Sequence, residues 1–227
     1  MATAERFSGF PEGTLTFLTA LRTNNNKEWF EAHRSDYDRY YVEPAKAFVQ
    51  AVGTKLKTAA PAIVADPRVN GSIFRINRDM RFSKDKRPYK DHLDFSFWEG
   101  GKNASPSALF FRISPDGTSI GAGNHSCPQL LRPLRQAIAD PVSGKRLAAV
   151  AKKLRTAGCT IEGAHYKRFP RNFSNDGPAS EFLLHNSLYV VMEKEPEVAC
   201  SKEIVNVCVK QWKAMMPLHR WLVDNIR

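Results

Sequence analysis

Cysteine, long apolar runs and compositional bias are all scarce in this sequence. The four cysteines form no Cys-x-x-Cys pair, so no common zinc or thiol redox motif is indicated. No stretch approaches the roughly 18 uncharged apolar residues that would span a bilayer, and residues 1–10 do not resemble a secretory signal peptide. The 13 glycines and 14 prolines are scattered, which excludes fibrous repeats and low-complexity disorder. We therefore expect a globular protein of the reducing cytoplasm.

The common motifs of phosphate-binding and hydrolytic enzymes are also missing. The chain has no P-loop, no Gly-x-Ser-x-Gly nucleophile motif and no His-Glu-x-x-His zinc motif. His92 and Asp94, with His125 or Cys127, are residue types that suit a metal. No pair of these ligands has a standard zinc spacing, however, so we predict no metal site. The cofactor and the reaction, if there is one, stay unknown at this stage.

Positive charge is the first distinctive feature that the sequence does have. The sequence contains 34 lysine and arginine residues and 23 acidic ones, which gives a formal net charge of +11 at pH 7. Such an excess favours polyanionic partners such as nucleic acid, phosphorylated metabolites or anionic membranes. Many basic proteins bind no nucleic acid, so the charge by itself leaves the partner open.

Apolar periodicity predicts helices at both ends of the chain. In the N-terminal part, apolar residues recur at helical spacing up to Pro61, and Asn25 with Glu28 forms a capping pair that opens one helix. In the C-terminal part, a long helix is predicted from about Lys202, with a kink before Pro217. Two further helices are predicted over Gln129–Ala139 and Leu147–Leu154.

In the middle of the chain the apolar residues recur at every second position, which is the period of a half-buried strand. Three segments show this alternation: 72–82, 92–98 and 108–113. Ser114–Gly117 has the composition of a tight turn and leads into a fourth strand over 118–122. The simplest arrangement is a mainly antiparallel meander over about 72–122, with a later strand near 188–193. Strands grouped between helices predict the α+β class, and the lack of a linker or repeat predicts a single domain over 1–227.

The most concentrated polar segment extends from Arg75 to Lys90. It contains seven bases and two acids, a net charge of +5 in 16 residues. If this segment is a strand through Phe82, Arg78 falls on the apolar face. A guanidinium there must reach a carboxylate or emerge into a pocket.

The next strand alternates His92, Asp94 and Ser96 with apolar residues. A hairpin between the two strands would collect arginines, Asp79, Asp94 and His92 on one face of the sheet. Guanidinium groups oriented by carboxylates suit phosphate or carboxylate ligands. We therefore predict an anion-binding site. Its predicted residues are Arg75, Arg78, Arg81, Lys86 and Tyr89.

Two other interpretations of this segment stay open. In the first, the protein is a phosphoester-directed hydrolase, with Asp79 or Asp94 as general base or metal ligand and His92 as general acid. In the second, the charges form an internal lattice of ion pairs that holds the hairpin to its flanking helices, and the function lies on a protein-interaction surface.

The order Arg75-x-x-Arg78-Asp79-x-Arg81-Phe82, followed by Asp85-Lys86-x-x-Tyr89, resembles the signature of the family catalogued as domain of unknown function 2461. Other parts of the chain look like the same family's pattern, namely Phe7-x-Gly9-Phe10, Asn24-Asn25-x-Lys27-x-Trp29-Phe30 and Lys167-Arg168-x-Pro170. The resemblance covers nearly the whole chain. It implies kinship and brings no reaction, substrate or cofactor with it.

Two further basic clusters lie in the second half of the chain. One surrounds the helix predicted over 147–154, whose polar face is wholly positive; a solvated face is the simpler interpretation of this cluster. In the other, basic residues are interleaved with aromatic ones, a mixture that suits single-stranded nucleic acid. The residues of the second cluster are Tyr166, Lys167, Arg168, Phe169, Arg171 and Phe173. The sequence thus predicts a cytoplasmic anion-binding protein whose ligand is a phosphate-bearing small molecule or nucleic acid, without membrane association.

Overall fold

The N-terminal part of the chain is helical, as its apolar spacing predicts. Its helices are α1 (Glu12–Thr23), α2 (Lys27–Ala32), α3 (Arg34–Tyr37) and α4 (Glu43–Ala59), with a π-helical turn at Asp38–Val42. Along α4, Phe48, Val52 and Leu56 recur every four residues and are buried, so one face of this helix packs into the core. The computed structural model describes residues 7–81, 83–102, 105–125 and 128–226.

The predicted cap of α2 is wrong by one residue. Asn26 is the N-cap, and its side-chain oxygen accepts a hydrogen bond of 2.9 Å from the backbone N–H of Trp29. The side chain of Asn25 instead binds the backbone of Tyr89. Its amide donates to the Tyr89 carbonyl and its oxygen accepts from the Tyr89 N–H, both at 3.0 Å. This reciprocal pair holds the start of α2 to a segment more than sixty residues later in the chain.

The structure confirms the α+β class. Six strands form one open antiparallel sheet in the order β1-β2-β3-β4-β6-β5. The strands are β1 (Ile63–Val64), β2 (Leu93–Glu99), β3 (Ala108–Ser114), β4 (Gly117–Asn124), β5 (Thr160–Ala164) and β6 (His185–Lys194). Strands β2, β3 and β4 are the predicted meander, and β6 is the predicted later strand, which adds to the far side of β4.

The strand predicted over 72–82 is wrong. Up to residue 81 this stretch is extended chain with only isolated bridges, which join Ile73 to Val69 and to Phe95, and Asn77 to Tyr89. Phe82 lies outside the described residues. We call residues 74–90 the arm.

The expected apolar face of the arm fails to form because most of its residues have no layer to pack against. Phe74 and Met80 are 41% and 36% exposed, and Ile76 is buried. Alternation along a sequence predicts a strand only where one face is covered, and here the covering layer is missing for two of the three described residues.

The remaining helices follow the predicted spacing with shifted ends. They are α5 (Leu131–Ala139), α6 (Pro141–Thr156) and α7 (Ile204–Asn225), and α7 contains Pro217. Helix α6 begins earlier than its apolar spacing predicts because Asp140 caps it. The Asp140 carboxylate accepts from the backbone N–H groups of Val142 and Ser143, and Pro141 occupies the first helical position.

The described residues divide into two compact units, each made of three separate stretches. Unit 1 consists of residues 1–97, 110–119 and 193–209, and unit 2 of residues 98–109, 120–192 and 210–227. Whether the chain is a single domain over 1–227 stays a prediction.

Each unit has its own apolar core. In unit 1, Phe10, Phe48, Phe95 and Phe111 are at most 2% exposed, and their ring centroids lie 4.9–6.4 Å apart. In unit 2, the core includes Trp221, whose indole N–H donates to the carbonyl of Ser143 at 2.9 Å. The hydrogen bond to Ser143 compensates for the water that the buried indole N–H loses on folding.

We predict that Asn25→Ala lowers the free energy of unfolding by about 1–3 kcal/mol, because it leaves the backbone N–H and C=O of Tyr89 without partners in a partly buried place. The matched control is Asn24→Ala, since the Asn24 amide donates only to the carbonyl of Ala20 at the exposed end of α1. Urea unfolding of both variants measures the difference. Equal losses of stability would contradict a special role for Asn25.

Candidate anion-binding site

Three arginines in unit 1 bind the aspartate two positions before them. In each case the carboxylate accepts the arginine backbone N–H at 3.0–3.2 Å and the guanidinium at 2.6–3.3 Å. These Asp-x-Arg pairs are Asp66–Arg68, Asp79–Arg81 and Asp85–Arg87. The hydrogen bonds from Arg81 lower the pKa of Asp79 to about 2. Local carboxylates therefore neutralise two arginines of the arm.

The other predicted ligand residues of the arm are held in different ways. Arg78 reaches a carboxylate, which is one of the two outcomes expected for it, and its Nη1 lies 2.5 Å from Asp85 Oδ2. The Nζ of Lys86 donates to the carbonyl of Met80 at 3.2 Å. These contacts occupy both side chains within the protein.

Among the predicted ligand residues, Tyr89 and Arg75 differ most in their exposure to solvent. The ring of Tyr89 is buried and stacks on Phe30 with a centroid distance of 4.1 Å. Arg75 is exposed and makes no hydrogen bond or ion pair with the described residues. The structure therefore does not gather the five predicted ligand residues into one pocket, and Arg75 is the member whose charge is available.

Asp94 on β2 is the centre of a denser charged cluster. Its side chain is 15% exposed and receives Arg112 Nε at 2.6 Å and His92 Nε2 at 3.2 Å, while Lys90 Nζ lies 3.9 Å away. Burial by itself would raise the pKa of Asp94, but the hydrogen bonds from His92 and Arg112 lower it well below its ordinary value. Asp94 is thus a carboxylate that stays ionised inside the fold.

The cluster continues from Asp94 through His92 to a second carboxylate. His92 Nδ1 lies 3.2 Å from Asp91 Oδ1, so the imidazole bridges two aspartates. Asp91 also accepts Arg22 Nε at 2.8 Å, and Arg22 binds Asp116 through two further bonds of 2.8 Å. A continuous chain of polar contacts therefore extends from Arg22 at the end of α1 to Asp94 on β2.

Lys90 is a mostly buried cation of this cluster, and its contact with Asp94 is longer than those of Arg112 and His92. Its side chain is mostly buried, and its Nζ lies 4.9 Å above the ring of Phe74. Burial lowers the pKa of Lys90, Asp94 raises it, and Arg112 and Arg75 lower it further, with a net decrease. We call these five residues, namely Lys90, Asp94, His92, Arg112 and Arg75, the Lys90 centre.

Sequence reasoning missed Arg22, Asp91 and Arg112, and it did not assign Lys90 to the site. Arg112 alternates with buried apolar residues on β3, which places it on the same face as Asp94 once β2 and β3 are paired. That alternation was the one available signal. Arg22 lies 69 residues from Asp91 and carries no comparable signal.

Two of the three predicted catalytic residues come together. His92 and Asp94 are hydrogen-bonded, whereas Asp79 lies in the arm with Arg81 as its ion-pair partner. Within the described ranges, no three His, Cys, Asp or Glu side chains converge in a way that could hold a metal ion. Cys127, considered above with His92 and Asp94, lies outside the described residues.

Unit 2 contains a separate polar network that the sequence did not indicate. The buried ring of His219 on α7 lies between Ser107 Oγ, 2.9 Å from Nδ1, and Glu99 Oε2, 3.3 Å from Nε2. Because the Glu99 carboxylate can only accept, Nε2 of the neutral ring carries the proton and Nδ1 accepts from the Ser107 hydroxyl. Ser107 is buried, so this chain of groups faces the interior.

These features define an α+β protein with an ion-paired arm and a charged centre around strands β2 and β3. The chain belongs to the family described as Conserved hypothetical protein (DUF2461), whose model matches residues 13–221. No curated protein and no solved structure matches the chain. Among the described residues, no helix has the length and apolar character needed to cross a membrane.

The His219 network predicts a pH-dependent stability. Burial lowers the pKa of His219 by more than Glu99 raises it, so the unfolded chain binds this proton at a higher pH than the folded one. The stabilising contribution of the neutral ring is therefore present above about pH 6.5 and is lost as the pH falls. We expect His219→Gln to cost about 1–3 kcal/mol at pH 7.5 and less at pH 5.5.

Urea unfolding of wild type and His219→Gln at the two pH values tests this prediction. The exposed His165, in the same unit, provides the control variant His165→Gln. A gap between wild type and His219→Gln that widens at pH 5.5 would contradict a neutral His219, because it would mean that a protonated ring stabilises the fold through Glu99.

Proposed function

We propose that the protein is a cytoplasmic anion-binding protein that binds a phosphate-bearing small molecule at the Lys90 centre. The observation that carries this proposal is the position of Lys90: its side chain is mostly buried, and its Nζ lies 3.9 Å from Asp94 Oδ2. The lowered pKa of Lys90, caused mainly by burial and also by Arg112 and Arg75, is consistent with a cation that lacks full compensation. The cytoplasmic location rests on the scarcity of cysteine, which makes up four of the 227 residues.

The existing contacts leave positive charge available for a ligand. Asp94 already receives Arg112 and His92 at hydrogen-bond distance, and Lys90 is farther away at 3.9 Å. Arg75 has no ion-pair partner among the described residues. An anion beside Lys90 and Arg75 would gain two charge-assisted hydrogen bonds without breaking an internal ion pair.

A small ligand fits this site better than a nucleic-acid strand. Arg78, Arg81 and Arg87 of the arm are engaged by aspartates at 2.5–2.8 Å. A polyanion that contacts many phosphates needs many free cations and shows a steep dependence on salt. Two available cations suit one phosphate group, with a shallow dependence on salt.

Anion binding at the Lys90 centre would be coupled to the protonation of Lys90. An anion stabilises the charged ammonium and so raises the pKa of Lys90 from its lowered value in the free protein. Affinity is then highest below the lowered pKa and decreases as the pH rises through it.

The two alternatives differ from this proposal in what they require of Asp94. A hydrolase would use Asp94 with His92 in turnover, so that Asp94→Asn would retain binding and lose activity. A purely structural lattice would bind no anion, and the loss of one partner would only reduce stability. The many internal ion pairs of the arm are what favour the lattice.

We predict that Lys90→Met weakens phosphate binding by at least about tenfold, which corresponds to the loss of one charge-assisted hydrogen bond of about 1.5–3 kcal/mol. The control is Lys84→Gln, which removes one charge from the same arm at an exposed position without an ion-pair partner among the described residues. Calorimetric titration with inorganic phosphate, ATP and glucose 6-phosphate measures the affinities. Titration at pH 7 and pH 10 measures the coupling to the proton.

The same titrations distinguish anion binding at the Lys90 centre from attraction by overall charge and from a purely structural lattice. Equal weakening by Lys84→Gln would mean that overall charge, and not the Lys90 centre, attracts the anion. If no probe binds wild type and Lys90→Met changes only the melting temperature, the lattice is the correct interpretation and the proposal fails. A bound ligand at about a hundred times its dissociation constant adds about 2.7 kcal/mol of stability, which thermal melting detects independently.

A further inference from the structure

Most of the excess of basic over acidic residues lies in unit 2. Unit 1 contains 19 basic and 17 acidic residues, and unit 2 contains 15 basic and 6 acidic ones. Unit 2 therefore carries a formal net charge of +9, out of +11 for the whole chain. The Lys90 centre and the arm belong to unit 1, so the proposed function leaves most of the excess charge without a role.

In the described part of unit 2, many basic side chains are exposed and have no ion-pair partner among the described residues. In its described part, ion pairs join Arg155 to Glu181 and Arg220 to Glu99. Seven other exposed bases on α6 and in the segment after β5 form no ion pair with a described residue. They are Lys145, Arg146, Lys152, Lys153, Lys167, Arg168 and Arg171.

Exposed aromatic rings accompany these bases in the segment 165–173, which we call the basic loop. Tyr166 and Phe169 are 37% and 40% exposed. The backbone N–H groups of His165 and Tyr166 both donate to the carbonyl of Leu184, at 3.0 and 2.8 Å. The start of the loop is therefore anchored, while its rings and charges face outwards.

Arg135 on α5 provides an independent observation at the same place. Its guanidinium carbon lies 4.7 Å from the centroid of the Tyr166 ring, and no carboxylate of the described residues binds it. Its Nε is buried and has no hydrogen-bond partner in the described part of the chain. A buried donor without an acceptor is costly, and it indicates a place where a ligand could supply one.

We propose that the basic loop and Arg135 bind single-stranded nucleic acid. Phosphate groups contact Lys167, Arg168 and Arg135, and unpaired bases stack on the rings of Tyr166 and Phe169. A flexible single strand presents base faces to rings on a loop, whereas the bases of a duplex are already stacked on one another. Each exposed ring lies next to a basic residue in the sequence, with Tyr166 before Lys167 and Phe169 after Arg168.

An anionic membrane is the main competing partner for basic and aromatic residues. Insertion into a bilayer requires a continuous apolar face next to the charges. The described basic loop instead alternates its two exposed rings with cations, and it has no exposed aliphatic side chain. The pattern therefore favours stacking on bases over insertion among lipid chains.

Fluorescence anisotropy with labelled 15-nucleotide dT and rU strands tests the proposal on the full chain. We expect binding that weakens as salt is added. A plot of the logarithm of the association constant against the logarithm of the salt concentration should have a slope of about −2 or steeper, because each of three phosphate contacts contributes about −0.7. The double variant Tyr166→Ala/Phe169→Ala keeps the net charge and should weaken binding at least about tenfold through lost stacking. Lys167→Gln/Arg168→Gln removes two phosphate contacts and should make this slope shallower by about 1.4.

The control is Lys55→Gln/Lys57→Gln, which removes the same charge from exposed positions on α4 in unit 1. Unchanged affinity in Tyr166→Ala/Phe169→Ala, or an equal loss in the control, would overturn the proposal. Tighter binding to a duplex of the same length or to phosphatidylserine vesicles would also overturn it. Absence of binding at 50 mM salt rejects it outright.

The two proposals fail separately. Lys90→Met should leave strand binding unchanged, and the basic-loop variants should leave phosphate titrations unchanged. If both sets of variants reduce strand binding, the two surfaces contact one polymer, and the assignment of a small ligand to the Lys90 centre is wrong.

Discussion

The buried charge of Asp94 is the constraint on which the arrangement of unit 1 depends. A carboxylate placed on a strand and mostly removed from water is tolerated only when cations and hydrogen-bond donors replace the lost hydration. Arg112 on the neighbouring strand and His92 supply these contacts at 2.6 and 3.2 Å. His92 in turn brings in Asp91, and Asp91 brings in Arg22 of α1. One buried charge therefore determines how a helix, two strands and the end of the arm are held together.

The parts of the fold that sequence could predict are those where one face of an element meets the core. The alternation of β2 and β3 is real because Phe95 and Phe111 pack against Phe48 of α4. The same alternation gave a wrong prediction over 72–82, since Phe74 and Met80 stay exposed and the chain bridges the sheet only from Ile73 to Phe95. Pattern reveals that a face exists, but whether another element covers that face is a tertiary property.

The charged site was predictable to a similar degree. The Asp-x-Arg pairs need only neighbouring residues, so their spacing of two could have indicated them. The contact between Arg112 and Asp94 needs the register of two strands, and the contact between Arg22 and Asp91 needs the position of α1 against the end of the arm. Consequently, a dense run of arginines drew attention to cations that are already neutralised, while Lys90, at the end of that run, has the less satisfied charge.

The contrast between paired and unpaired cations also reconciles the lattice interpretation with binding. A lattice that fixes Asp94, His92 and Arg112 holds Lys90 at one place, and such preorganisation reduces the conformational entropy lost when an anion binds. In unit 2 the situation differs, because the cations of the basic loop have no carboxylate partners among the described residues and are exposed to solvent. Rigid, partly desolvated cations favour one small anion in a defined geometry, whereas solvated cations beside exposed rings favour a flexible polyanion that adapts to them. The distribution of acidic residues, more than that of basic ones, therefore decides what each surface can bind.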